Sequence, residues 1–102
     1  GKGRPLIIEA EGLFVSPGFI DTHIHGDPAD IFHREKRHGT TSILPTVSFA
    51  GIKELRLRLE AIRRFKRNNL LGQNVLGMRL EGPFISRVKS GAQNENAVMT
   101  PS

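Results

Sequence analysis

The chain has 102 residues, which leaves room for one small hydrophobic core and not for two. Hydrophobic residues make up 37% and charged residues 25%, so it is no disordered tail, and with no cysteine it can have neither disulfides nor a thiolate metal site. Any metal must therefore be held by imidazole and carboxylate groups. The formal charge is +5, and residues 53–67, with seven basic and two acidic side chains, account for the whole excess. A basic surplus attracts phosphate, but this one sits opposite a regular apolar stripe and has no aromatic residues interleaved on its charged side, so we expect no nucleic-acid partner. No apolar run approaches a membrane span and no secretory leader is present, which predicts a cytoplasmic location and no membrane partner. The first residue is Gly1 and not Met, which predicts a start inside a longer reading frame or after processing.

In chain order, Leu6, Ile7, Ile8 and then Leu13, Phe14, Val15 form two β-type runs around a turn at 9–12. After Pro17 and Gly18 an extended pattern resumes over 19–24. Asp27 is a suitable N-cap, Pro28 suits the first helical position and Asp30 the first turn, which predicts a short helix to about His38, ended by Gly39. The β-branched stretch 41–47 predicts a buried strand, with Pro45 where it opens into a loop. Ile52, Leu55, Leu59, Ile62 and Phe65 fall on one face of a helix. Glu54 with Arg58, and Glu60 with Arg64, stand four apart on its charged side. Asn68, Asn69 and Gly72 release the chain into a third strand, 75–80, broken at Glu81, Gly82 and Pro83. Nothing periodic follows. Strands alternating with helices predict parallel βαβ units, in which chemistry gathers at the carboxyl ends of the strands.

Asp21, His23 and His25 stand two apart at the first such end, so strict alternation turns all three to one face. Two imidazoles there can chelate one metal ion, and the plain alternative is two polar residues at a loop mouth. Glu81 ends the third strand. Two His and one carboxylate make three protein ligands with an open position, the arrangement of hydrolytic zinc sites. His33 and His38, among charged neighbours, read as solvated. Gly91, Ala92, Gln93 and Asn94 read as a flexible loop that can offer backbone donors.

The run VSPGFIDTHIHG at 15–26 resembles the entry to the first barrel strand of the amidohydrolase superfamily. GTTSILPT at 39–46, LEGPFI at 80–85 and SGAQN at 90–94 are similar to segments of N-acetylglucosamine-6-phosphate deacetylases, in the same order along nearly the whole chain. The resemblance implies an α/β fold, a partial (β/α)8 TIM-type barrel of about three strand-helix units at 16–102, preceded at 1–15 by the end of a small β domain. It implies a divalent metal, Zn or alternatively Fe, with Glu81 as a ligand and His23 and His25 binding a second ion in members that use two. It places Ala92 and Gln93 in the substrate-contacting loop and implies an amino-sugar phosphate substrate and a homo-oligomeric parent. Residues 26–39 are fewer than the family's usual loop and helix. Arg79 stands where a His often precedes the LEGP run and, by strand parity, can pair with Glu81. The family's two further metal-binding His and its catalytic Asp lie beyond the third strand and are absent from these 102 residues, so no catalytic residue is assigned and the chain alone is expected to be inactive. A dihydroorotase-like or deaminase-like amidohydrolase, and a noncatalytic basic binding module, are the competing expectations.

Overall fold

The computed structural model describes residues 3–101; the expected domain limits at residues 1 and 102 fall outside them. A three-stranded parallel sheet carries strands β1 (Phe19–His25), β2 (Thr40–Ser48) and β3 (Arg79–Glu81) in the order β1-β2-β3. Helix α1 (Pro28–Glu35) connects the first pair and helix α2 (Ile52–Asn68) the second. Parallel neighbours need a crossover of this kind, and each helix buries its apolar stripe on the sheet it spans.

Local chemistry sets each boundary. Asp27 caps α1, its side chain accepting the backbone N–H of Ala29 at 2.8 Å, with Pro28 at the first helical position. The helix predicted to run to His38 stays α-helical to Glu35 and tightens into a 3₁₀ turn at Lys36–His38. Gly39, at φ 87°, ends it in the left-handed region that an L side chain rarely adopts, and its carbonyl accepts from the Phe19 N–H at the start of β1. The short 26–39 segment thus contains a complete helix.

The core lies between the sheet and the helices. Ile31 and Phe32 from α1, Ile43 from β2, Ile62 from α2 and Val75 are all buried, with Ile24, Val47, Phe65 and Met78 packed around them. The Phe32 and Phe65 rings stack with centroids 6.3 Å apart, which ties α1 to α2 on one side of the sheet. Of the predicted α2 stripe Ile62 is buried and Leu55, Leu59 and Phe65 are half-buried, whereas Ile52 at its first turn is exposed.

Several expectations are corrected. Residues 6–8 and 13–15 form no strand. Their side chains are largely exposed, Phe14 completely, because an extended run becomes a strand only when a neighbour takes its backbone hydrogen bonds. Pro45 sits inside β2, not at its mouth. It is buried and pairs with Ile24 just after β1 gains one residue on β2 between Asp21 and Ile24, and that bulge is where a residue without an N–H is tolerated. The third strand is shorter than 75–80. Residues Leu70–Asn74 take a 3₁₀ turn, Val75 makes an isolated bridge to Ile43, and regular pairing begins only at Arg79. Glu54 does pair with Arg58, at 2.8 Å, but Glu60 reaches Arg67 at 3.2 Å and not Arg64. Among the described residues no helix is long and apolar enough to cross a membrane.

The basic residues of α2 point away from this core, and Arg63 and Arg64 are exposed. Replacing both with Gln should change unfolding free energy by less than about 0.5 kcal/mol, measured by urea titration. A larger loss would show that these side chains pack and are not merely solvated.

Candidate metal centre

Polar side chains gather at the carboxyl ends of the strands. His23 and His25 come from the last turn of the pleat in β1, and Glu81 from the last residue of β3. Glu81 is in register with Ser48, the last residue of β2, and its carbonyl accepts the Phe49 N–H at 2.8 Å, which fixes the strand end. Gly82, at φ 85°, then turns the chain away; a side chain there would press on Phe49, its Cβ 3.2 Å from that of Phe49.

These elements bring His23, His25 and Glu81 together. One donor atom from each lies within 4.8 Å of the others. His23 Nε2 contacts Glu81 Oε1 directly, and His25 Nε2 stands 3.6 Å from Glu81 Oε2. The two imidazoles are tilted by 56° with centroids 5.4 Å apart, so they converge and do not stack. Both rings are about half exposed, and the Glu81 side chain is 21% exposed, so the cluster is open to solvent on one side. Two imidazoles and one carboxylate are a donor set suited to a divalent cation, and their donor atoms are gathered within 4.8 Å of one another.

The remaining predicted residues are placed as follows. Asp21 does not join the cluster; its Oδ1 accepts the His23 backbone N–H at 2.9 Å and so steadies the bulged strand. Arg79 does not pair with Glu81, whose oxygens are already engaged by the two His, by Ser48 and by Gln93. Gln93 donates from Nε2 to Glu81 Oε2 at 2.8 Å and approaches Ser48 Oγ at 3.3 Å, while Ala92 is exposed beside it. His33 and His38 are exposed, away from the centre, and His33 Nε2 meets the Arg37 guanidinium at 3.3 Å. Ser48 was not anticipated. Strand parity from Thr46 would have pointed to it, had β2 been carried one residue past Val47. A cleft of about 310 Å³ adjoins His25 and runs between Asp27, Thr46, Ser48 and the α2 side chains Glu54 and Arg58.

No protein-family model matches the chain. It is 32% identical over 110 residues to N-acetylglucosamine-6-phosphate deacetylase of Lysinibacillus sphaericus, covering 92% of this chain and 27% of that protein. With the enzyme of the same name from Bacillus subtilis it shares 35% identity over 92 residues, 76% of this chain and 23% of the relative. Along most of its length the chain is similar to a segment of N-acetylglucosamine-6-phosphate deacetylases. An N-acetylgalactosamine-6-phosphate deacetylase of Escherichia coli O157:H7 is 30% identical over 98 residues. The fold is shared with the crystal structure of N-acetylglucosamine-6-phosphate deacetylase from Pasteurella multocida, at a TM-score of 0.67 and 24% identity, over 84% of this chain and 26% of that one. The chain thus spans about a quarter of the length of these relatives. The curated matches named here are deacetylases of amino-sugar phosphates, which favours that reading over the dihydroorotase-like, deaminase-like and basic-module expectations.

Proposed function

We propose that the chain supplies the first three strand-helix units, residues 16–102, of a (β/α)8 amidohydrolase barrel that deacetylates N-acetylglucosamine-6-phosphate, with residues 1–15 as the end of a small β domain. The observation that carries this is the convergence of His23, His25 and Glu81 at the carboxyl ends of two parallel strands, where barrel enzymes place their chemistry. Relatives named for that activity support the substrate class. We assign the location to the cytoplasm, as the sequence composition suggests, and on the resemblance the parent to a homo-oligomer.

In this reading His23 and His25 hold a divalent metal, zinc or alternatively iron, through ring nitrogens, and Glu81 holds it through a carboxylate oxygen. When bound, the ion supplies Lewis acidity toward the acetamide carbonyl and toward water. Ala92 and Gln93 border the centre on the loop side, where the sugar would be gripped. Amide hydrolysis also needs a positioned acid to protonate the leaving amine. Among the described residues the cluster holds no second carboxylate, and Asp21 is turned onto the His23 N–H.

The purified 102-residue chain should therefore bind Zn²⁺ and release no measurable acetate from N-acetylglucosamine-6-phosphate, followed by a coupled acetate assay. Metal-dependent release abolished by Glu81→Gln would contradict this and require an acid we have not identified. N-acetylgalactosamine-6-phosphate belongs in the same assay, because one relative is named for it.

A further inference from the structure

We propose that Gln93 is a positioning residue for Glu81: its carboxamide holds Oε2, beside which His25 stands, and so leaves Oε1 to face His23. The inference deepens the metal reading above and rests on it. A glutamate at a strand end has rotatable bonds of its own, so a ligand carboxylate that nothing holds must give up that freedom on binding. Here Oε2 accepts from Gln93 Nε2 at 2.8 Å and from Ser48 Oγ at 3.4 Å, which leaves Oε1 against His23. An ionised carboxylate only accepts, so the amide must turn its NH₂ group toward Glu81.

The choice of side chain matters chemically. A Lys or Arg donor in this place would neutralise Glu81 and compete with a cation for it, as Arg79 was expected to do. A neutral amide orients the carboxylate and leaves its charge intact. The loop that delivers it is closed by contacts that do not involve the metal centre. The Met99 N–H donates to the Pro83 carbonyl at 3.0 Å, and the Gln93 N–H to the Ser90 carbonyl at 3.1 Å. Ser90 is buried, and its Oγ donates to Glu95 at 3.3 Å. Gln93 is thus held over the ends of β2 and β3 from a loop that folds on its own terms, and Ser48 provides the second anchor.

The test compares the wild-type chain with Gln93→Met, which keeps the length and removes the donor, and with Val88→Ala, which alters an exposed side chain of the same loop away from the centre. Zn²⁺ affinity is measured by calorimetry, the visible ligand-field spectrum with Co²⁺, and thermal unfolding in metal-free buffer. We expect Gln93→Met to bind Zn²⁺ about 10–100-fold more weakly, with an altered Co²⁺ band and unchanged metal-free unfolding. Val88→Ala should stay close to wild type in all three. Wild-type affinity and spectrum in Gln93→Met would overturn the inference and leave the metal centre standing. Loss of the metal-free fold in that variant would overturn it in favour of a structural role. A wild-type chain that binds neither ion would overturn the metal reading and this inference with it.

Discussion

Replacing Ile43 with Asp should abolish cooperative unfolding. Ile43 is fully buried in the central strand, pairs with Asp21 on one side and bridges Val75 on the other, and belongs to the cluster that joins both helices to the sheet. An unpaired carboxylate there costs several kcal/mol even after relaxation, against a total stability of about 5–15 kcal/mol for a chain of this size. Ile43→Val removes one methylene group and should cost only about 0.5–1.5 kcal/mol. Urea titration followed by circular dichroism separates the two outcomes. A cooperative transition in Ile43→Asp at the wild-type midpoint would mean that the core is held elsewhere.

The second large effect concerns the metal centre. His23→Ala, His25→Ala and Glu81→Gln should each weaken Zn²⁺ binding by at least about 100-fold, since losing a direct ligand costs more than the 10–100-fold typical of an outer partner. Each tenfold step corresponds to about 1.4 kcal/mol of binding free energy. Metal-free stability should change little, because these side chains are partly exposed at the strand ends and none belongs to the buried cluster. Asp21→Asn is the matched control. It alters a carboxylate on the same strand that accepts from the His23 backbone N–H, and should leave affinity within a few-fold of wild type. Equal weakening by all four substitutions would point to general disruption of β1 and not to loss of ligands.

Where one residue pattern had one physical outcome, the sequence was legible. The α2 stripe, the Asp27-Pro28 cap and the Gly39 stop each follow from local chemistry, and each appears in the structure. The parallel order followed from alternation of periods, and the convergence of His23, His25 and Glu81 followed from that order. What was not legible depended on partners distant in sequence. Residues 6–8 and 13–15 have β-type composition, but composition does not supply the neighbouring strand they lack here. The β1 bulge depends on how β2 carries Pro45, which no local pattern in β1 announces. Arg79 shared a face with Glu81 by parity, yet Gln93, twelve residues on, reaches the carboxylate instead. Loop closure through Pro83 and Ser90 decides that contact, and it leaves no periodic signal.

The most direct measurement of the central claim is X-ray absorption at the zinc edge on the chain loaded with one equivalent of Zn²⁺. The account predicts a first shell of nitrogen and oxygen donors near 2.0–2.1 Å, with the outer-shell scattering of two imidazoles, reduced to one in His23→Ala or His25→Ala. A spectrum of oxygen donors alone, unchanged by either substitution, would contradict it.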